Sequence, residues 1–235
     1  MKTKQPMKTI SIIGGMSSES TVLYYQTINR EINRRLGGNR SAEIVMHSVD
    51  FETIAAMQRS GDWAGAGKVL AESARKLESI GADGLLLATN TMHKVAEEIQ
   101  AAVNIPLLHV VDATAAAVKA VGLQKVGLLG TRFTMSDGFY TERMNKLGVE
   151  TVVPSESEQN EIHRIIFEEL CIGDIRAESR AYYQRVMAEL QQQGAEGMIL
   201  GCTEIGLLVQ PEDSSLPLFD SAEIHALAAV AFALS

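Results

Sequence analysis

One strand-turn-helix pattern is written twice along this chain. Gly84-Leu85-Leu86-Leu87-Ala88-Thr89-Asn90-Thr91 closes the first copy, and Gly197-Met198-Ile199-Leu200-Gly201-Cys202-Thr203-Glu204 closes the second. In each, a short apolar run leads into a polar tip and then into a possible helix. Such a tip lies where a strand's carboxyl end meets helix N–H groups, a natural place to hold an anion. A Gly turn lies upstream at a similar distance in each half, Ile12-Ile13-Gly14-Gly15-Met16 and Leu128-Leu129-Gly130-Thr131. The expectation is a pseudo-duplicated chain with its site between the halves.

Ile-, Val- and Leu-rich runs alternate with longer amphipathic stretches, the pattern of β-α crossovers onto parallel sheets. Strands are expected near 9–13, 44–47, 84–88, 107–110, 126–129, 150–153, 198–200 and 216–219. Helices are expected over 19–35, 63–80, 92–102, 113–120, 137–146, 158–171, 175–193 and 221–234. Right-handed crossovers then give an α/β fold with helices on both faces, as one wide sheet or two small domains, and the doubled pattern favours two similar domains, each a parallel sheet flanked by helices. The first domain is expected to take residues 7–117 with about 216–235, and the second 118–215; residues 1–6 read as a loose leader.

Composition narrows the function classes. With 235 residues, 46% hydrophobic and 21% charged, the chain can bury one substantial core or two small ones. A formal charge of −8 and no basic stripe argue against nucleic acid as a partner. The run 10–13 is too short for a signal-peptide core or a membrane span, so a cytoplasmic protein without a membrane partner is expected. Two cysteines, Cys171 and Cys202, are too few for a disulfide framework or a thiolate zinc site. None of the five histidines shows metal-ligand spacing, so no metal is expected.

Cys202 is the sharpest candidate. A thiol at a helix start gains thiolate character and can act as nucleophile or base, although free Cys is also a common core residue. Cys171 lies in an apolar helical run and reads as structural. Thr89 occupies the matching tip, either capping the next helix or holding a proton or water. Asn90 and Thr91 read equally as caps or as donors to a carboxylate. Gln58 reads as a substrate donor or a helix-end residue, and Lys94, Arg59 and Arg132 as solvated surface charges or partners for a second carboxylate. His93, just beyond the first tip, reads as a helix-surface residue that can also reach the site. The chain contains neither G-x-G-x-x-G nor G-x-x-x-x-G-K-[ST], which removes the main support for dinucleotide and P-loop readings.

Together, Gly14-Gly15-Met16, Thr89-Asn90-Thr91-Met92-His93 and Gly201-Cys202-Thr203-Glu204 resemble the cofactor-independent aspartate/glutamate racemases. The resemblance runs over nearly the whole chain from Met7. It implies two α/β domains about a pseudo-two-fold axis, no cofactor, a small acidic amino acid as substrate and a homodimer. It also implies acid–base groups on opposite faces of the α-carbon, here Thr89 and Cys202 as catalytic residues. Met16, Gln58, Asn90, Thr91, Thr131, Thr203 and Glu204 would bind substrate. The family commonly carries a cysteine in each half; Thr89 at the first resembles a Thr/Cys subgroup described as preferring L-enantiomers. Where many aspartate racemases carry a helix lysine, this chain has Cys171, so the partner of the distal carboxylate stays open among Gln58, Arg132 and Lys94. A single-cysteine decarboxylase, a hydantoin racemase and a catalytically degenerate amino-acid-binding protein remain the alternatives.

Overall fold

The computed structural model describes residues 6–235. Residues 1–5 of the expected leader lie outside the described residues. The described residues form two compact units, one of residues 6–109 with 225–235 and one of 110–224.

In the first unit the order is β1 (Ile10–Gly14), α1 (Ser18–Leu36), β2 (Ile44–Ser48), α2 (Phe51–Ser60), α3 (Trp63–Ser79) and β3 (Gly84–Leu87). A 3-10 turn (Thr91–Val95), α4 (Ala96–Ala101) and β4 (Leu107–Leu108) follow. The second unit holds α5 (Val110–Ala120), β5 (Lys125–Gly130), α6 (Arg132–Ser136), α7 (Phe139–Lys146), β6 (Glu150–Val152) and α8 (Glu156–Glu168). Then come a 3-10 turn (Leu170–Ile172), α9 (Ala177–Gln192), β7 (Met198–Gly201), α10 (Ile205–Leu208), β8 (Leu218–Asp220) and α11 (Ser221–Ala233). The residues of α11 from His225 onward belong to the first unit.

Both units carry a four-stranded parallel sheet, ordered β2-β1-β3-β4 in one and β6-β5-β7-β8 in the other. Every residue of β1, β3 and β7 is buried, whereas edge strand β2 is only partly so. Helices on both faces of a parallel sheet produce this contrast and make the central strands read as continuous apolar runs. Ile13, Leu85, Leu87, Leu70 and Ile99 join one core; Leu128, Ile199, Met144, Tyr183 and Val186 join the other.

β3 and β7 both begin on glycine for one physical reason. A Cβ on Gly84 would lie 2.4 Å from the Phe232 ring, and one on Gly197 would lie 2.8 Å from the Phe219 ring. Aromatic side chains press directly on these strand starts.

All eight expected strands form, within two residues at each end. The last differs in membership: β8 pairs with β7, with Leu200 opposite Asp220, so the return to the first unit begins at His225 instead of near 216. The helix expected over 137–146 forms as α7, starting at Phe139 after Gly138 takes φ 78, and the short α6 before it was not expected. The helix expected over 92–102 opens as the 3-10 turn, and α2 was not expected at all.

Candidate functional site

Each unit places one tip at the carboxyl end of its central strands. In the first, Ile13 pairs with Leu87, so the Gly turn and the Thr89 tip leave adjacent strands at the same level. The Ala88 N–H donates to Ile13 O at 2.9 Å and the Thr89 N–H to Leu87 O at 2.8 Å, which turns the chain sharply. Thr89 is half-buried, and Asn90 and Thr91 are buried.

His93 is 3% exposed, against the helix-surface expectation. Its Nδ1 lies 2.7 Å from the Thr89 carbonyl oxygen. A carbonyl can only accept, so Nδ1 carries the proton and donates. The His93 ring sits 4.6 Å from His109 and 5.6 Å from His225, centroid to centroid. His225 Nε2 lies 2.6 Å from Leu108 O and must donate to it, which leaves Nδ1 to accept from the Tyr24 hydroxyl at 3.1 Å. Burial holds His225 neutral, with its pKa lowered to about 4.

Gln58 and Met16 converge on this tip through Met92. Gln58 Nε2 donates to Met92 Sδ at 3.0 Å, and Met16 joins the apolar core that contains Met92. The Gly15 N–H donates to Thr21 Oγ1 at 2.8 Å, so this amide of the Gly turn serves α1. Lys94 stacks 3.9 Å over the Trp63 ring, and Arg59 pairs with Glu52.

In the second unit Gly130 pairs with Gly201, so Thr131 and Cys202 follow at the ends of neighbouring strands. Thr131 caps α6, its Oγ1 accepting from the Thr134 N–H at 3.3 Å. The next backbone amide, that of Arg132, donates to His163 Nδ1 at 3.3 Å, and the Arg132 side chain lies 5.6 Å from the Phe133 ring. Thr203 and Glu204 are both buried. The Cys202 thiol donates to Glu204 Oε2 at 3.0 Å.

That bond revises the electrostatics expected from position alone. The thiolate expected at a helix start is instead a neutral thiol, because burial and then the Glu204 charge push its pKa well above the ordinary value. The helix that follows explains why: α10 has four residues, too short for an aligned peptide dipole to outweigh a carboxylate at hydrogen-bond distance. Cys171 is pushed up to about 12 by burial and by the same carboxylate. Asp220, in register with Leu200, accepts from the Ala222 and Glu223 N–H groups, yet burial raises its pKa. Tyr183 is fully buried, and that burial holds its hydroxyl protonated.

The two tips therefore offer different chemistry. The second sets a half-buried thiol against a carboxylate that accepts its hydrogen bond, a pairing chemically able to exchange a proton. The first offers hydroxyls, amides and, behind His93, the neutral imidazole of His225. Glu204, expected as a substrate contact, is the partner of Cys202. The pairing has a sequence signal, a carboxylate two residues after a cysteine at a strand end. Among the described residues, no group of three or more His, Cys, Asp or Glu side chains could hold a metal.

Relatives give this arrangement a context. The family profile described as Asp/Glu/Hydantoin racemase matches residues 13–229. A Yersinia pestis protein provisionally described as an Asp/Glu racemase superposes with TM-score 0.93 at 49% identity, over 97% of this chain and 100% of that one. An aspartate racemase homologue from Pyrococcus horikoshii OT3 superposes with TM-score 0.84 at 38% identity, over 97% and 100%. The broad specificity amino-acid racemase RacX of Bacillus subtilis is 29% identical over 154 residues, 66% of each chain and so just under two thirds of either.

Proposed function

The chain belongs to the Asp/Glu/hydantoin racemase family, and from that premise we propose that it inverts the α-carbon of aspartate or glutamate without pyridoxal phosphate. The observation that carries the reading is the 3.0 Å bond from the Cys202 thiol to Glu204. Inversion needs one group to remove the α-proton and another to supply a proton from the opposite face. Cys202, its own proton passed to Glu204, takes the α-proton; Thr89, or water it holds, returns one and is reprotonated from solvent, while Glu204 releases its proton to solvent and restores the starting pair. The carbanion is stabilised by donors to the α-carboxylate, for which Asn90, Thr91, Thr203 and the tip amides are the proposed set.

One thiol and one hydroxyl are unequal bases, and this supports a preference for the L-enantiomer. Deprotonation is efficient only from the face that Cys202 serves. Met16, Gln58 and Thr131 are proposed to line the substrate. The reading extends to a cytoplasmic homodimer; no helix among the described residues is long and apolar enough to cross a membrane.

A second reading rests on the neutral state of the Cys202 thiol. A protonated thiol is a proton donor, as decarboxylation of a disubstituted malonate requires after carbon dioxide leaves. Product analysis in deuterium oxide separates the two. Deuterium entering aspartate or glutamate at the α-carbon supports racemisation, and carbon dioxide release from a malonate without such exchange overturns it. Cys202→Ala abolishes either activity while leaving amino-acid binding to be measured by calorimetry.

A further inference from the structure

We infer that His93 is a positioning residue which aims the Thr89–Asn90 peptide of the first tip. The inference rests on the racemase reading for its consequence in catalysis, but its geometric content stands on unit one alone. His93 Nδ1 lies 2.7 Å from the Thr89 carbonyl oxygen across one turn of the 3-10 segment. The Thr89–Asn90 bond is trans, since the one cis peptide among the described residues is Met16–Ser17. In a trans peptide the C=O and N–H point in opposite directions. Fixing the carbonyl toward His93 therefore turns the Asn90 N–H to the other side of the tip, and fixes the backbone angle that carries the Thr89 side chain.

The imidazole is itself immobilised. It is 3% exposed and packed against His109, ring planes inclined at 59°, and edge-on to His225 at 67°. His225 is in turn oriented by two bonds of defined polarity, donating to Leu108 O and accepting from Tyr24. Tyr24 is 2% exposed, so the chain Tyr24–His225–His93–Thr89 runs through the interior. Thr89 has only backbone and a hydroxyl with which to act, and a hydroxyl works only where it is held. A rigid ring behind the carbonyl supplies that orientation, which the 3-10 geometry alone holds poorly. A ring on the surface could not do this.

The test compares His93→Asn with His93→Phe in the full chain. The Asn side-chain amide places an N–H donor near the position of Nδ1; Phe keeps the ring volume and removes the donor. Two readouts are taken: amide hydrogen exchange of the peptide spanning 85–92, and kcat and KM for α-proton exchange on both enantiomers of aspartate and glutamate.

The expected result is at least tenfold faster amide exchange and at least tenfold lower kcat in His93→Phe, with KM changed less. His93→Asn recovers most of both and keeps the shape of the wild-type pH profile. Unchanged amide exchange and kcat in His93→Phe overturn the proposal. So does a His93→Asn variant that restores amide protection but stays as inactive as Phe with one pH limb missing, because the imidazole would then be moving protons. If wild type exchanges no α-proton, the racemase reading fails by itself and amide exchange alone decides the role of His93. His93→Phe unfolding is detected by its melting temperature, and His93→Asn against wild type then carries the comparison.

Discussion

The Thr89 and Cys202 tips stand on the same scaffold and differ in almost every charge. Both follow the third strand of a sheet with the same strand order, and both strands begin on a glycine pressed by an aromatic ring. Around Cys202 lie Glu204, Asp220 and a second thiol, Cys171. Around Thr89 lie the His93 and His109 rings and, behind them, the neutral His225. A repeated fold thus supplies two equivalent positions, while local burial and charge decide what each can do with a proton.

Removing the sulfur should break the comparison most severely. Cys202→Ala is expected to lower α-proton exchange by about 10³-fold or more, the range of a lost general base, as followed by NMR in deuterium oxide. Next, Glu204→Gln removes both the proton acceptor and the charge that raises the thiol. Turnover should fall by about 10²-fold while the thiol titrates at lower pH, measured by thiolate absorbance. A lower rate with an unchanged thiol titration would show that Glu204 acts elsewhere. Thr89→Cys makes the tips alike and should raise exchange from the D-enantiomer by about tenfold relative to the L-form.

Stability sharpens the same contrast, with opposite signs in the two units. His225 has a folded pKa of about 4 against an ordinary 6.5, so it stays neutral in the fold. Its unfolded form binds a proton first, and stability intact above pH 6.5 falls as pH drops toward 4, by roughly 3 kcal/mol. Urea titrations at pH 7 and pH 4, wild type beside His225→Phe, check this; the variant should lose less on acidification. Asp220 is raised instead, so its burial costs stability once pH exceeds its folded pKa. Asp220→Asn keeps an acceptor for the Ala222 and Glu223 amides and should stabilise the chain at neutral pH by about 0.5 kcal/mol.

Much of this was legible in the sequence, because parallel strands buried on both faces write themselves as unbroken apolar runs. That pattern located β1, β3, β5 and β7 and the two tips that follow β3 and β7. Short helices were less legible. In α2 the apolar stretch Ile54–Met57 is too brief to show a helical period, although Asp50 and Gly61 bracket it as start and stop. The five-residue α6 is likewise too short to show a helical period.

At the candidate site, sequence placed Thr89 and Cys202 at the two strand ends but gave the wrong sign to the thiol. Position at a strand end suggests a dipole, whereas helix length and the direction of the Glu204 carboxylate decide the charge, and neither is written locally. The burial of His93 depends on His225, more than a hundred residues away, and no spacing rule connects them.

The most direct measurement is the initial rate of deuterium entry at the α-carbon of L- and D-aspartate and L- and D-glutamate, wild type against Thr89→Cys. Unequal tips predict faster entry into the L-form in wild type and a narrowed gap in the variant. Equal rates for both enantiomers in wild type, or no exchange from any of the four, would contradict the assignment of Cys202 and Thr89 as an unequal pair of bases.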